Sequence, residues 1–270
     1  MSDIPKILFC TFSETCDVPN EIFENWKKLN HDWEIKFISN YDFDEKKDEC
    51  LLFLKEHFEE KYSKLYRSIQ LRSYKLDFWR VCLLMKYGGA YSDIDQIPLL
   101  SIDEMLNGND MCVANESFSF MVCKPNHPFI IKVVNCFLNN GCTNWPPGMY
   151  MQQYKKYISS KDNNEKITLL QHKMPSDEIK KDFFNKNIDI IKKETENYDF
   201  IPDIENIWPL SCCLFLNDKP AIIMREIGYY IKIIKQREKQ KLNVKNGRYR
   251  IKNDKNIKWN YIGDNFFSKM

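Results

Sequence analysis

Apolar residues along this chain recur with two periods, every second residue or one face in three to four, and each switch marks an element. Residues 4–12 form an apolar run closed by a polar turn, which predicts a first strand. Ile22, Phe23, Trp26 and Leu29 share one helical face of residues 18–29. Over residues 33–38, Trp33, Ile35 and Phe37 alternate with Glu34 and Lys36, the pattern of a strand. Strand, helix, strand is how a nucleotide-binding α/β layer opens. A charged helix over residues 48–66 follows, with Leu51, Leu54, Phe58, Tyr62 and Leu65 in its apolar set.

Residues 73–100 organise the remainder. Ser73, Asp77 and Arg80 stand at i, i+4 and i+7, so a helix presents them as one polar stripe in an otherwise apolar segment. Gly88 and Gly89 end that helix where positive φ is needed, and the chain enters a strand through Ala90 and Tyr91. The strand leads to Asp93-Ile94-Asp95, whose carboxylates alternation would place on one side. Like charges so close repel unless a cation lies beside them, and a divalent metal is the simplest partner. Carboxylate oxygens suit hard ions such as Mn2+ or Mg2+, which commonly bridge protein carboxylates to substrate phosphates. An isolated Asp-x-Asp is most often a solvated turn; the stripe upstream changes that reading.

Farther along, residues 111–114 and 118–123 read as strands, and residues 128–138 as a helix entered through Pro128. The rigid loop Asn144-Trp145-Pro146-Pro147-Gly148 precedes a helix beginning near Met149. Residues 150–200 are lysine-rich and weakly patterned, with one helix from a Ser176 cap. A late strand is expected within 201–216 and a long helix over 220–241.

Length, at 270 residues, allows one large domain or two small ones, and 43% hydrophobic with 14% aromatic residues indicates an ordered protein. The 40 basic and 38 acidic residues nearly cancel, so net charge names no partner. Ten cysteines without a CxxC pair argue against a zinc ribbon or a disulfide framework and favour a reducing compartment. No signal peptide is visible at the start, and no apolar run reaches about 18 residues. Between Lys232 and Lys258 there are eleven Lys/Arg and two Asp/Glu, an excess of nine positive charges. This run reads as solvated surface, or as a peripheral contact with anionic membrane. Tyr249, Trp259 and Tyr261 make no nucleic-acid module, and no nucleic acid is expected as partner.

The residues Asp77-x-x-Arg80, seven residues, then Gly88-Gly89-x-Tyr91-x-Asp93-x-Asp95 resemble the core of the glycosyltransferases with a DXD sugar-binding region. That group includes initiation-type mannosyltransferases and α1,4-galactosyl/GlcNAc-transferases, and the segment is similar to the large clostridial glucosylating toxins. The resemblance implies an α/β, GT-A-like fold for nucleotide-diphospho-sugar transfer, a mixed central sheet flanked by helices, with helical additions. It implies one catalytic domain: a nucleotide-sugar core over 1–125, an acceptor-side helical part over 126–220, and a basic helix and tail over 221–270. The activity implied is metal-dependent, retaining transfer of a sugar from a UDP-sugar, or alternatively a GDP-sugar, to a hydroxyl of a glycan, lipid or protein. Eukaryotic members usually carry a Golgi anchor; none is seen here, so the expected location is cytoplasmic, or host-cell cytoplasm for a viral protein or effector.

By the same resemblance, Asp93 and Asp95 hold Mn2+ or Mg2+, Asp77 and Arg80 meet the sugar or diphosphate, and Tyr91 packs near the ribose. Cys10, Thr11 and Phe12, at the end of the first strand, are placed to hold the base, with an edge strand running into a loop as the plain alternative. Leu76 stands where relatives have a small residue, and Ser73 offers a hydroxyl one turn earlier. His127, beside two prolines, reads as a turn residue; Asn115 and Glu116 lie at a strand end facing sugar or acceptor; Trp145 either stacks on a sugar or is structural. Relatives end in an H-x-x-x-G-S-W tail, absent here, and Asn260, Asp264 or Asn265 would supply the metal oxygen in its place. Two alternatives stand beside this reading: a nucleotide-sugar or glycan-binding module without catalysis, and a phosphatase of the haloacid dehalogenase type using Asp93 and Asp95.

Overall fold

The computed structural model describes residues 4–12, 20–39, 46, 48–94, 96–115, 117–141, 146–160, 166–173, 178 and 213–223. The chain divides into units Met1–Tyr230 and Ile231–Met270, and all described residues lie in the first.

Its opening is the strand, helix, strand that the apolar pattern predicts: β1 (Ile7–Phe12), α1 (Asn20–Leu29) and β2 (Glu34–Ser39). Residues 48–66, expected as one helix, form two, α2 (Glu49–His57) and α3 (Glu60–Ser68). Phe58 leaves the helix in an extended conformation, and its ring stacks on Tyr62 at 4.6 Å between centroids. The central helix α4 (Arg72–Tyr87) then runs into β3 (Gly89–Asp93). The short β4 (Ile97–Pro98) and α5 (Ile102–Leu106) come next; α5 opens on a capping box in which Ser101 and Glu104 satisfy each other's backbone N–H groups. After β5 (Met111–Ala114) and β6 (Phe120–Cys123) come α6 (Pro128–Asn140) and α7 (Pro146–Ile158), then β7 (Ile167–Lys173), β8 (Cys213–Leu216) and β9 (Lys219–Ile223).

Among the described residues these strands form one mixed sheet in the order β2-β1-β3-β6-β5-β7-β8-β9-β4. β2, β1 and β3 run parallel, so their C-terminal ends share an edge, the usual ligand side of such sheets. β6 runs antiparallel to both β3 and β5, which brings the C-terminal end of β5 to that same edge. Side-chain alternation sends Leu8, Cys10, Ala90, Cys112 and Val122 into a core with Trp26 and Trp33, and sends Phe9, Tyr91, Val113 and Met121 into another beneath α4 and α6. The mixed sheet flanked by helices implied by the resemblance is therefore present.

Three expectations are corrected. Residues 220–223 are strand rather than helix, because Asn217 and Asp218 adopt φ of 47° and 65° and close a two-residue hairpin between β8 and β9. β7 was not expected in the lysine-rich stretch; Leu170 and Thr168 are its buried residues, paired in parallel with β5. Phe23, placed on the apolar face of α1, is 36% exposed, while Trp26 is fully buried and stacks on Phe120. The expected helix from Ser176 starts outside the described residues, and no described helix is long and apolar enough to cross a membrane.

The double glycine is decided by close approach. Gly88 caps α4 through its N–H to Leu84 O at φ +65°, and Gly89 has φ +82° with Ile7 O only 2.5 Å from where a Cβ would sit. Since that neighbour is backbone of the adjacent strand, Gly89→Ala is expected to cost about 2 kcal/mol, read as a lower urea midpoint. An unchanged midpoint would show that the β1–β3 pair opens to admit a methyl group.

Candidate active site

Four side chains from α4 and β3 meet at the C-terminal edge of β1 and β3. Asp77 and Arg80 are one turn apart on α4, and both are buried, at 8% and 6% exposure. Arg80 Nη2 lies 3.6 Å from Asp77 Oδ1, and Nη1 lies 3.0 Å from Asp93 Oδ1. Nη1 also donates to Phe118 O at 2.8 Å, and Nε donates to Leu76 O at 3.2 Å. The guanidinium carbon sits 4.4 Å from the Tyr91 ring centroid, a cation–π contact. Tyr91 Oη in turn donates to Asp93 Oδ1 at 3.3 Å and pairs with Thr11 Oγ1 at 2.8 Å. Among the described residues, Arg80 is thus a cation directly beside Asp93.

Burial sets the protonation of this group. It pushes the Asp77 carboxyl up to about 7; Arg80 pulls the value back and Asp93 adds to the rise. For Arg80, burial opposes the charge, yet Asp93, Tyr91 and Asp77 together raise its pKa, so it stays a fixed cation. Burial likewise lifts the Tyr91 hydroxyl well above its ordinary value, so it stays a neutral donor.

Asp93 closes β3, and Gln96 N donates to Asp93 O at 3.2 Å, so the backbone turns immediately. The strand ends at Asp93, and Asp95, expected on the same side, lies outside the described residues. Asp93 fits a hard cation. Its side chain is 35% exposed, and its contacts run through Oδ1, leaving Oδ2 without a partner among the described residues. No group of three or more His, Cys, Asp or Glu that could hold an ion occurs among the described residues.

The other predicted residues divide. Thr11 joins the site through Tyr91, and Phe12 ends β1 beside it. Cys10 points to the opposite core, fully buried, and burial followed by the Asp93 charge raises its thiol pKa, so it cannot hold a base. Ser73 is exposed on the first turn of α4, apart from the buried Asp77 and Arg80. His127 is fully buried and caps α6, its Nδ1 accepting from Phe129 N at 3.2 Å. Asn115 follows β5 at the same sheet edge as Asp93, and its Oδ1 is buried without a hydrogen-bond partner among the described residues. Glu116, Trp145, Asn260, Asp264, Asn265 and residues 232–258 lie outside the described residues. Sequence reasoning missed Ser92 and Gln96, both fully buried and joined to each other at 2.8 Å. A glutamine among Ile94, Ile97 and Pro98 was the available signal.

Residues 17–112 match the family described as glycosyltransferase sugar-binding region containing DXD motif. An uncharacterized glycosyltransferase of Acanthamoeba polyphaga mimivirus is 28% identical over 122 residues, covering 41% of this chain and 46% of that protein. The initiation-specific alpha-1,6-mannosyltransferase of Candida albicans is 25% identical over 126 residues, 41% of this chain and 33% of that protein. The chain thus spans less than half the length of each of these relatives. Among solved structures, the PaToxG glycosyltransferase aligns over 57% of this chain and 69% of its own, at 19% identity and a TM-score of 0.43. A transferase with two cysteines changed to serine aligns over 61% of this chain and 89% of its own, at 15% identity and a TM-score of 0.37. The matched segment, residues 17–112, carries Asp77, Arg80, Asp93 and Asp95, and it is this segment that is similar to the glycosyltransferases whose sugar-binding region contains a DXD motif.

Proposed function

We propose that this chain moves a sugar from a nucleotide-diphosphate sugar, a UDP-sugar before a GDP-sugar, to an acceptor hydroxyl of a glycan, lipid or protein. The observation that carries this reading is the set of buried Asp77 and Arg80 with half-buried Asp93, tied through Tyr91 to Thr11, at the C-terminal edge of parallel strands. Asp93 would hold Mn2+ or Mg2+ together with Asp95. When bound, such an ion stabilises the charge that collects on a departing diphosphate.

The chain's own residues do the rest. Arg80 holds the Asp93 carboxylate in place, and its donors are spent on Asp93, Phe118 O and Leu76 O. It therefore acts through the two aspartates more than by reaching the donor with its full fork, as the sequence had suggested. Asp77, once ionised, accepts from sugar hydroxyls. Tyr91 and Thr11 hold the adjoining strand ends where ribose and base would lie.

A panel of UDP- and GDP-sugars, with and without Mn2+, tests this by thermal stabilisation and slow donor hydrolysis. One donor is expected to stabilise the protein and to be hydrolysed only with metal, both effects being lost in Asp95→Ala and Asp93→Ala while the fold is kept. Stabilisation without turnover on any acceptor would favour a binding module. No response to any nucleotide sugar would return attention to the phosphatase reading.

A further inference from the structure

The loop that leads from β5 to β6 ties several of its polar groups into the fold. Ser117 and Ser119 share a hydroxyl hydrogen bond at 2.7 Å, Phe118 O accepts from Arg80 Nη1 at 2.8 Å, and Ser119 O accepts from Asp93 N at 2.8 Å. Asn115 breaks this pattern. The residue is half-buried, yet its Oδ1 is buried with no hydrogen-bond partner among the described residues. An orphaned buried carbonyl costs about 1–3 kcal/mol, and β5 just before it is wholly apolar, so packing gives no reason for an amide here. The sheet fixes where it stands. Asn115 N donates to Leu170 O at 2.7 Å, which carries the β5–β7 ladder on to this residue. Val113, Met121 and Tyr91 lie in register across β5, β6 and β3 and pack into one core beneath α4. Two residues farther on, alternation brings Asn115 to the level of Asp93, on the face where Arg80 lies against Tyr91. Two strand spacings set these residues about 10 Å apart, which admits one pyranose ring with a hydrogen bond at either side.

We propose that Asn115 is a specificity-determining residue whose amide carbonyl accepts a hydroxyl of the transferred sugar, from the side of the ring away from Asp93. An asparagine amide turns about χ2 over a broad, two-fold range, so a hydroxyl entering beside it meets Oδ1 by a rotation that breaks no bond of that carbonyl. The ligand then supplies the hydrogen bond that the fold withholds. A site built to hydrogen-bond a substrate hydroxyl discriminates against ligands lacking it, because the protein group is left unpaired. This rests on the functional reading above, in which the chain binds a nucleotide sugar.

The test is calorimetric binding to the full chain of UDP-glucose, UDP-galactose, UDP-N-acetylglucosamine and GDP-mannose, each beside its bare nucleoside diphosphate and all with Mn2+, run with thermal unfolding of the ligand-free protein. Asn115→Leu replaces the amide by an apolar group of similar size, and Asn115→Ala carries the test if the leucine variant fails to fold. Both are expected to unfold at the wild-type temperature or above it, since an unpaired carbonyl has been removed. For the nucleotide sugar that wild type binds best, Kd is expected to rise about tenfold, while the Kd of the matching bare diphosphate stays within about twofold of wild type. That combination separates a ligand contact from a structural role, which would lower the unfolding temperature. Lowered unfolding temperature with unchanged nucleotide-sugar Kd in the folded variants would overturn the proposal, and so would an equal loss for the bare diphosphate, which would place the amide at the nucleotide. Wild-type chain that binds none of the four donors would overturn the functional reading together with this proposal, a result seen without any variant.

Discussion

Arg80→Ala is expected to destabilise the protein by about 3–5 kcal/mol and to abolish donor hydrolysis, because it strands two carboxylates beside a buried void. Asp93 would lose its 3.0 Å partner, Asp77 its 3.6 Å partner, Phe118 O and Leu76 O a donor each, and the Tyr91 ring the cation against its face. Arg80→Lys separates charge from geometry. An ammonium restores one positive charge but cannot serve Leu76 O, Phe118 O and Asp93 from one plane while lying against Tyr91. Lysine is therefore expected to recover part of the stability, with activity still far below wild type. Urea unfolding and donor hydrolysis of both variants check this. Wild-type midpoint and turnover in Arg80→Lys would show that only the charge matters and that the fork plays no part.

The second large effect is a dependence on pH. The Asp77 carboxyl is pushed up to about 7 by burial, against 3.8 for the free group. The folded protein therefore holds this proton more tightly than the unfolded chain does. Below about pH 4 both states are protonated and the group is silent. As pH rises from 4 to 7 the unfolded chain releases its proton first, so stability falls, and above 7 the loss is complete, on the order of 4 kcal/mol for a difference of this size. Asp32, Glu104 and Asp218 are exposed carboxyls lowered by their partners, so they oppose this trend only at its acid end, below about pH 5.

Asp77→Asn removes the ionisation. Its stability is expected to be flatter from pH 5 to 8 than that of wild type, and higher relative to wild type at pH 8. Function should run the other way. In wild type the donor-hydrolysis rate is expected to rise through about pH 7, as Asp77 becomes the ionised acceptor that a sugar hydroxyl needs. Denaturant titrations at pH 5 and pH 8, on both proteins, decide the stability half. Parallel pH profiles would mean that Asp77 is already ionised in the folded protein.

Much of the site was legible before any fold was known. The spacing of Asp77 and Arg80 put them on one helical stripe, and the double glycine announced both the helix end and the strand that carries Asp93. Glycine at these places has a local cause, a left-handed φ, that leaves its mark on the residue type itself. Some signals were present and unread: Ser101 and Glu104 spell a capping box before α5, and Asn217-Asp218 between apolar runs spells a hairpin. β7 gave little, since only two of its seven residues are buried and lysines surround it.

The sequence by itself determined which residues could share a face, because helix and strand periods are local properties of the backbone. It could not determine which groups satisfy one another. Arg80 finds Asp93 thirteen residues away and Phe118 O thirty-eight residues away, and Trp26 finds Gln96 seventy residues away. Those partners are chosen by sheet order and by burial. A guanidinium shut away from water must place its donors on whatever acceptors the packed sheet brings within reach. Only the tertiary structure could turn the fork of Arg80 inward and set the pKa of Asp77, because both follow from exclusion of water by elements far apart in the chain.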